Sequence, residues 1–486
     1  MKNRFKSKMN WGLIAAMVLL ASSCSEFFDI NESPNSPDKV PPSIMMSTSL
    51  AASAFANSNE LNRFASTIMS VTAGAGGEPA AYDRYNISSA NFTNQWRFEI
   101  YNGALINYEL LIEDANERGS SAYAGISKIM KAYTFALATD VWGDIPYSEA
   151  LKAGDNTQPR LDSQRDIYLG TENIQSLFSM IKEGLEDLEK GEGLVPGQDD
   201  LYYRGNISQW KKAGESLLLK LANTISYVEP DQAKIIINEV LERDNFIKEN
   251  RDNLSMEFGR SAGSRSPIYE WTNVTLFKDN LIISSRFVDL LQRKNDPRLP
   301  IFVTRPNGNY VTIDNGLIGP RPQPVSSWSR FSSYVTGESG EGPSRLLTAA
   351  QVYFILAEAV IQLGIEGEAE SYFQIGIRRS MEEAGVSGEE ITSYFAEYPE
   401  EVSLNGNTEE NLEKILTQKY IALYGNGLEQ WNDYRRTGYP RLEQHQNAVG
   451  VDGTRPVRAV YVDDELARNP NFSIIQPNVR VWWDID

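Results

Sequence analysis

The chain has 486 residues, a formal net charge of −19 at pH 7, 41% hydrophobic residues, one His and one Cys. This composition supports a folded core, and its acidity disfavours nucleic acid as a partner because phosphate backbones are repelled. A single Cys and a single His exclude an internal disulfide, a thiolate zinc site and a multi-histidine metal site.

The first residues carry the features of an export and lipidation signal. Four basic residues precede the apolar run 11–21, and small residues then lead to Cys24, the sole cysteine. The run is shorter than the ~20 residues that span a bilayer, and a short buried helix is disfavoured because all the charges lie on one side. We predict that residues 1–23 are a lipoprotein signal peptide, that Cys24 carries the lipid, and that the polar, Pro-rich residues 24–41 form a tether. ASSC is a loose lipobox, since Ala21 stands where Leu is usual.

Helical periodicity dominates the rest of the chain and predicts a mainly α-helical domain over residues 42–486. The predicted helices are 42–57, 60–73, 92–118, 122–140, 165–190, 207–227, 231–243, 280–293, 347–364, 367–384 and 408–436.

Residues 244–346 form a loop-rich insertion in which Gly, Pro, Ser, Asn and aromatic residues cluster. The turn letters of IFVTRPNGNYVTI predict a β-hairpin there. Long loops on a compact domain are usually either functional or disordered, and the aromatic residues argue against disorder.

One helix pair, within 347–384, carries a tetratricopeptide pattern formed by Tyr353, Leu356, Ala357, Val360, Ala369 and Phe373. Small residues at this spacing let two helices approach closely, so we expect Ala369 to face the partner helix. One unit cannot bury its faces alone, so other helix pairs should stack on it in degenerate form.

Three further motifs have both a functional and a structural interpretation. The carboxylates around GDIPYSEA could flank a scissile glycosidic bond, but a turn in which Asp144 accepts backbone N–H groups is favoured. Arg435 and Arg436 could bind a carboxylate, but cations at a helix C-terminus are favoured. The terminal VWWD could be a sugar platform, but an apolar strap docked on the fold is favoured.

The single histidine, His445, lies in the polar run RLEQHQN and is interpreted as a solvated surface residue. Catalytic triads of the Ser–His or Cys–His type therefore have little support.

Several sequence blocks follow one another in a fixed order along the chain. They are the lipobox with FFDINESPNSPDKVPPS, then ATDVWGDIPYSEAL, RLDSQRDIY, WKKAGESLLLKLA, NDPRLP, LLTAAQVYFILAEA, QKYIALYGNGLEQWNDYRRTGYP and VWWD. This ordered set resembles the SusD/RagB family. The resemblance covers nearly the whole chain after Cys24 and is closest to the SusD-like branch.

The resemblance implies a scaffold of four tetratricopeptide-like helix pairs with an irregular part that carries the ligand site. It also implies a non-catalytic outer-membrane lipoprotein that captures nutrients, usually glycans, and delivers them to a SusC-type TonB-dependent transporter. Glu26 and Asp29, just after Cys24, are similar to signals for display on the cell surface.

Aromatic residues mixed with polar ones in loop-like sequence are the predicted ligand contacts, because sugar C–H faces stack on rings while hydroxyls need polar partners. The best single candidate is Trp328, which lies among serines. The other candidates are Trp96, Trp271, Tyr82, Tyr85, Arg84, Asn273, Arg330 and Tyr334. For each aromatic residue, core packing under the loops is the alternative.

Three functions remain open at this point. They are glycan binding, peptide binding as on the RagB side of the family, and surface glycoside hydrolysis, which is the weakest. The acidity favours neutral glycans, although Arg84 or Arg330 could locally reverse that preference. No cofactor is predicted; a structural calcium ion is compatible with such loops, but no D-x-[DN]-x-[DN]-G run supports one.

Overall fold

The computed structural model describes residues 40–152, 154, 156–274 and 277–485. The predicted signal peptide, Cys24 and nearly all of the predicted tether lie outside the described residues. Along the part that is described, no helix combines the length and the apolarity needed to cross a membrane.

The described chain is mainly helical. Its α-helices are α1 Pro42–Ser58, α2 Glu60–Ile68, α3 Gly77–Tyr82, α4 Ile106–Arg118, α5 Ser121–Trp142, α6 Gln164–Leu169, α7 Leu177–Lys190, α8 Ile207–Thr224, α9 Pro230–Arg243, α10 Pro267–Tyr269, α11 Ser285–Arg293, α12 Leu299–Phe302, α13 Ser333–Thr336, α14 Ala349–Leu363, α15 Ala369–Ala384, α16 Gly388–Glu397, α17 Pro399–Val402, α18 Thr408–Ala422, α19 Gly427–Thr437 and α20 Asp463–Arg468.

Short irregular elements complete the fold. Two π-helices span Gln95–Leu105 and Glu270–Val274, and 3-10 turns span Asn250–Asp252, Pro306–Gly308, Val325–Ser327 and Val451–Gly453. Two antiparallel strand pairs join distant parts of the chain, β1 Thr72–Gly74 with β3 Leu281–Ile283, and β2 Leu254–Met256 with β4 Ser344–Leu347.

The scaffold is a stack of helix pairs that follow one another along the chain. Helix α5 packs on α7, α8 on α9, α14 on α15, and α18 on α19. Successive pairs touch through α7 and α8, then α8 and α14, then α14 and α18. This arrangement confirms the predicted mainly α-helical, tetratricopeptide-like fold.

The pair formed by α14 and α15 contains the residues of the predicted repeat pattern. Leu356, Ala357 and Phe373 are fully buried between the helices. Ala369, however, is only half-buried in the first turn of α15. The close approach lies at Gly376, where an added Cβ would stand 2.9 Å from a ring atom of Phe354.

Buried charged side chains form a layer inside the stack. Every helix pair contributes to this layer from one or both of its helices. Helices α5, α8 and α14 contribute one charged side chain each, and α18 and α19 contribute the rest. The members of this ionic layer are Asp140, Lys220, Glu358, Lys419, Glu429, Asp433, Arg435 and Arg436. Four cations therefore face four anions, as burial of charge requires.

The pairing within the ionic layer is close. The Lys220 ammonium lies 3.1 Å from the Glu429 carboxylate, and the Lys419 ammonium lies 2.8 Å from Asp433. Arg436 donates to both oxygens of Glu358 and, at 2.9 Å, to Asp433. The interpretation of Arg435 and Arg436 as a helix C-terminus is correct in position, but both side chains are buried. Arg436 is an ion-pair partner, whereas Arg435 donates to the backbone carbonyls of Asp140 and Val457 and lies on the Trp431 ring.

The two other structural interpretations are confirmed. The Asp144 carboxylate accepts a hydrogen bond of 3.0 Å from the Gln164 backbone N–H, as expected for a turn residue. Trp483 is fully buried, and its indole N–H donates to the Asp140 carboxylate over 3.0 Å. The terminal strap thus docks on the ionic layer.

Five predicted helices differ from the structure. The segment 60–73 ends as a helix at Ile68, before strand β1, and the segment 92–118 begins as the π-helix Gln95–Leu105, before α4. The segment 165–190 is divided into α6 and α7, because Gly170 has φ +80° and ends α6. The segment 408–436 is likewise divided into α18 and α19, with Gly425 at φ +95° between them. The segment 280–293 begins as strand β3 before α11 starts.

The predicted hairpin over IFVTRPNGNYVTI does not form. Its apolar ends pair with distant segments, Val303 with Phe331 and Ile313 with Ser284. Its middle folds as the turn Pro306–Gly308. Tertiary pairing has therefore overridden a local turn signal.

Candidate functional site

The three predicted tryptophans lie inside the protein. Trp96, Trp271 and Trp328 are 4%, 3% and 3% exposed. Their rings therefore present no open face to solvent in this structure. Their positions agree with the alternative that these rings pack under the loops.

Trp96 and Trp271 pack among other rings. The Trp96 ring stands edge-on to Trp142 at 5.0 Å between centroids, and its indole N–H donates to Glu465 over 3.1 Å. Trp271 stands edge-on to Phe331 at 6.2 Å. Asn273, two residues further on, is exposed.

Trp328 supports a loop. Its ring belongs to a small apolar cluster with Ala73, Ile282 and Ile313, separate from the main core. Its indole N–H donates to the Pro322 carbonyl over 2.8 Å. The expectation that serine neighbours keep this ring out of the core is wrong, and the ring holds the 316–325 loop in place.

Arg330 and Tyr334 are engaged nearby. The Arg330 guanidinium lies 3.3 Å from the Asp279 carboxylate and 5.7 Å from the centre of the Trp328 ring. The Tyr334 ring packs on Phe302 at 4.8 Å and lies under Arg345 at 4.1 Å. Neither side chain is free to turn toward solvent without losing these contacts.

Tyr82 and Tyr85 are fully buried, and each holds a neighbouring segment. The Tyr82 hydroxyl donates to Glu60 over 2.6 Å. The Tyr85 hydroxyl accepts from the His445 backbone N–H and from Arg455 Nε, each over 3.1 Å. These tyrosines therefore position the chain on either side of Arg84.

Arg84 itself lines an open cleft of about 330 Å³, here called the Arg84 cleft. Three segments form its walls: residues 74–86, the 316–321 loop, and the turn that contains Val449. Ile318 and Val449 are 60% and 51% exposed, so they supply apolar surface beside the arginine. The volume is that of a small-ligand site.

A set of hydrogen bonds holds the three walls together. The Asp83 carboxylate accepts from the Asn315 side-chain amide over 2.6 Å and from the Gly316 backbone N–H over 2.5 Å. The Asn447 side chain donates to the Gly316 carbonyl over 3.0 Å. Gly316 has φ +74°, and a Cβ there would collide with the Gln446 carbonyl, so only glycine fits this junction.

Two arginines point their charge toward this cleft. Arg84 Nε donates to the Asn447 carbonyl over 3.0 Å. Arg321, from the loop that Trp328 supports, donates to the carbonyls of Gly319 over 2.9 Å and Ala75 over 3.3 Å. Among the described residues, neither guanidinium has an acidic partner. Arg321 was missed in the sequence, although an arginine inside the stiff run GPRPQP was a usable signal.

His445 corrects a sequence interpretation, because it is buried and not solvated. Its Nδ1–H donates to the Asp83 carbonyl over 2.9 Å, and its Nε2 accepts from the Ser70 hydroxyl over 2.9 Å. Burial lowers the pKa of His445 to about 3, which keeps the ring neutral. Burial also raises the pKa of the Asp83 carboxyl to about 7.

The Ser70–His445–Asp83 chain resembles a catalytic triad in residue types, but His445 donates to the Asp83 backbone carbonyl and not to its carboxylate. Ser70 borders a surface cleft of about 750 Å³, yet its side chain is fully buried. Its backbone N–H donates to the Thr67 carbonyl, and that of Val71 donates to Ser66, so neither is free to hold an oxyanion. The hydrogen bonds instead fasten the wall of the Arg84 cleft to the end of α2.

Other clefts of comparable or larger volume open on the surface. One of about 370 Å³ has Arg455 among its lining residues. One of about 460 Å³ is lined by Trp96 and Tyr101, among others. A third, of about 750 Å³, is lined by charges of both signs, many of them paired, as Arg286 with Asp314. Within the described ranges, no group of three or more His, Cys, Asp or Glu side chains could hold a metal ion.

One family model covers most of the chain. The model of the family SusD-like_2, described as "Starch-binding associating with outer membrane", matches residues 34–462. None of the curated proteins matches the chain.

Solved structures share the fold. A chitin-binding protein superposes with a TM-score of 0.77 at 23% identity, covering 92% of this chain and 100% of that one. A chitin-binding SusD homolog from Flavobacterium johnsoniae gives 0.73 at 22%, covering 92% and 98%. A SusD homolog from Bacteroides uniformis gives 0.74 at 22%, covering 91% and 99%. Identities this low show a common fold and leave the ligand open.

Proposed function

Because the chain belongs to the SusD/RagB family, we propose that it is a glycan-binding protein associated with the outer membrane. The observation that carries this proposal is the family match over residues 34–462, which spans the whole helix-pair scaffold. The two chitin-binding proteins of the same fold support it.

The geometry of the Arg84 cleft supports the same function. Sugars offer apolar C–H faces and many hydroxyls, so a sugar site needs exposed apolar surface beside hydrogen-bond donors. Ile318 and Val449 supply the exposed apolar surface, and Arg84 and Arg321 supply the hydrogen-bond donors. We propose Arg84 and Arg321 as ligand contacts, with Trp328 and Tyr85 as positioning residues.

The remaining predicted contacts stay predictions. Trp96 and Arg97 border the 460 Å³ cleft, which is a second candidate subsite. Trp271, Asn273, Arg330 and Tyr334 lie in the loop-rich part, and Tyr82 lies behind α3. Alanine substitution at each position, measured as ligand affinity beside melting temperature, separates contact residues from packing residues.

The experiment for the proposed function is a binding panel. The purified protein is titrated by calorimetry with oligosaccharides from starch, chitin and acidic polysaccharides, and with mixed peptides, and each mixture is then analysed for cleavage products. We expect a glycan to bind and to remain intact. Binding of peptides alone would overturn glycan capture, and release of shortened glycan would overturn the non-catalytic role.

The anchor and the partner are part of the proposal. We propose that a lipid on Cys24 holds the protein at the outer membrane, where it delivers glycan to a SusC-type TonB-dependent transporter. Cys24→Ala should move the protein from the membrane fraction to the soluble fraction, and continued tight membrane association would contradict the anchor. Co-purification of such a transporter with the lipidated protein in detergent tests the partner.

A further inference from the structure

The Arg84 cleft concentrates positive charge in a protein whose formal net charge is −19. Arg84 and Arg321 both line it, whereas Asp83 is the single acidic residue of its described lining. The 750 Å³ cleft is different, because six acidic residues there meet five basic ones.

The two guanidiniums are held in place but not neutralised. Only the Nε of Arg84 is bound, to the Asn447 carbonyl, so both terminal nitrogens of Arg84 are free of partners among the described residues. Arg321 donates only to backbone carbonyls, of Gly319, Ala75 and Gly74, and each terminal nitrogen keeps one N–H. Carbonyl oxygens orient a guanidinium without cancelling its charge.

The acid in the wall does not cancel the charge either. Asp83 is 1% exposed, and its carboxylate already accepts from Asn315 and Gly316. Burial raises the pKa of this carboxyl to about 7, so at neutral pH it is only partly ionised. The cleft therefore keeps a net positive charge.

We propose that the Arg84 cleft binds an acidic sugar, with a carboxylate or sulfate group lying between Arg84 and Arg321. This inference rests on the proposed function and names the class of glycan. A guanidinium matches the two oxygens of a carboxylate or sulfate, and the resulting charge-assisted hydrogen bonds are about twice as strong as neutral ones. Ile318 and Val449 then contact the C–H face of the same sugar ring.

The inference reverses the expectation drawn from composition. The overall negative charge repels an anionic glycan at long range, and salt screens this repulsion beyond a Debye length of ~8 Å at physiological ionic strength. Inside the cleft the two unpaired arginines act at contact distance. The two arginines without acidic partners therefore determine the preference for acidic over neutral glycans, and the net charge of the protein does not.

The test uses probes that differ only in charge. The mature protein in detergent is titrated with oligosaccharides from pectate, alginate and chondroitin sulfate. Each is compared with its own carboxyl-reduced or desulfated form, and starch and chitin oligosaccharides serve as neutral glycans. We expect at least one acidic probe to bind at least about tenfold more tightly than its carboxyl-reduced or desulfated form, a difference of about 1.4 kcal/mol. Desulfated chondroitin keeps its uronate carboxylates, so the chondroitin arm reports sulfate recognition at constant carboxylate, and the pectate arm reports carboxylate recognition.

The matched variants locate the effect. Arg84→Gln with Arg321→Gln removes two positive charges from the Arg84 cleft, while glutamine keeps one donor for the carbonyl oxygens. Arg293→Gln with Arg441→Gln removes the same charge from the 750 Å³ cleft. We expect the first double variant to lose the preference for the acidic probe and the second to keep it, with melting temperatures within about 2 °C of each other.

The outcomes are distinct. Equal or tighter binding of neutral glycans overturns the acidic preference and leaves glycan capture standing. Equal losses in both double variants show a non-specific charge effect and also overturn the assignment. Failure of every glycan, acidic and neutral, overturns the proposed function together with this inference.

Discussion

Two sets of arginines in this protein have opposite surroundings. In the ionic layer, Arg436 is fully buried and donates to two carboxylates, those of Glu358 and Asp433. In the Arg84 cleft, Arg84 and Arg321 face solvent and donate only to backbone carbonyls. The charge of Arg436 is therefore neutralised by carboxylates inside the scaffold, whereas the charges of Arg84 and Arg321 at the loops remain available to a ligand.

The difference separates structural from functional charge. A buried charge must be matched, because an unpaired one costs several kcal/mol. A half-exposed charge oriented by carbonyl groups carries little stability but remains available to a ligand. Removal of a layer residue should therefore affect folding, and removal of a cleft residue should affect binding.

The largest effect is expected in the ionic layer. Glu358→Ala leaves Arg436 without its main partner inside the protein, so the free energy of unfolding should fall by about 3–5 kcal/mol. The exposed pair of Arg468 and Asp464 is the control, because Arg468→Ala should cost no more than about 1 kcal/mol. Urea titration measures both, and similar losses would show that burial does not distinguish the two pairs.

The next effect is expected beneath the Arg84 cleft. Trp328→Ala removes a ring that is 3% exposed, so the free energy of unfolding should fall by about 3 kcal/mol. Phe98→Ala is the aromatic control, because Phe98 is 56% exposed and its removal should cost within about 0.5 kcal/mol. Thermal melting of both variants measures the loss of stability. A Trp328→Ala protein with an unchanged melting temperature would place that ring outside the packed structure.

A smaller effect tests the helix-pair contact. Gly376→Leu forces a side chain against the Phe354 ring and should cost about 1–3 kcal/mol. Ala369→Leu, in the half-buried first turn of α15, should cost less. Denaturant titration of the two variants compares the free energies of unfolding, and a larger loss for Ala369→Leu would place the closest helix contact at Ala369 and not at Gly376.

The smallest effect is a pH dependence. Burial lowers the pKa of His445 in the folded protein to about 3, so the ring takes up a proton on unfolding and stability falls as the pH drops below about 6.5. Asp83 acts in the opposite sense, because burial raises its pKa to about 7 and favours the folded state at lower pH.

The variant His445→Gln isolates the histidine contribution. Between pH 6.5 and 5.5 the wild-type protein should lose about 1 kcal/mol more unfolding free energy than His445→Gln. Urea titrations at both pH values measure the difference. Parallel pH profiles for the two proteins would show that His445 titrates normally and is open to water.

Much of the fold could be predicted from the sequence because it depends on local patterns. Helical periodicity located most of the scaffold helices, and the repeat pattern identified the α14–α15 pair. The breaks at Gly170 and Gly425 were missed because the apolar periodicity continues across them. The strand at Leu281–Ile283 was missed because its partner, Thr72–Gly74, is remote in sequence.

The candidate site was harder to predict because burial is a tertiary property. The serines beside Trp328 and the polar neighbours of His445 indicated exposure, yet packed segments from elsewhere cover both side chains. Arg84 was found from its aromatic neighbours, although these rings prove to be buried supports. Arg321 could only be paired with Arg84 once the 316–321 loop was placed against residues 74–86.

The docking of Trp483 on Asp140 has a consequence for the order in which the protein is completed. Asp140 comes from the first third of the chain, and its carboxylate receives hydrogen bonds from Tyr168 and from the almost terminal Trp483. During synthesis the ribosome therefore releases the first anion of the layer long before its last partner. A chain that stops before Trp483 leaves the buried Asp140 carboxylate without one of its donors, so it should be less stable than the full chain.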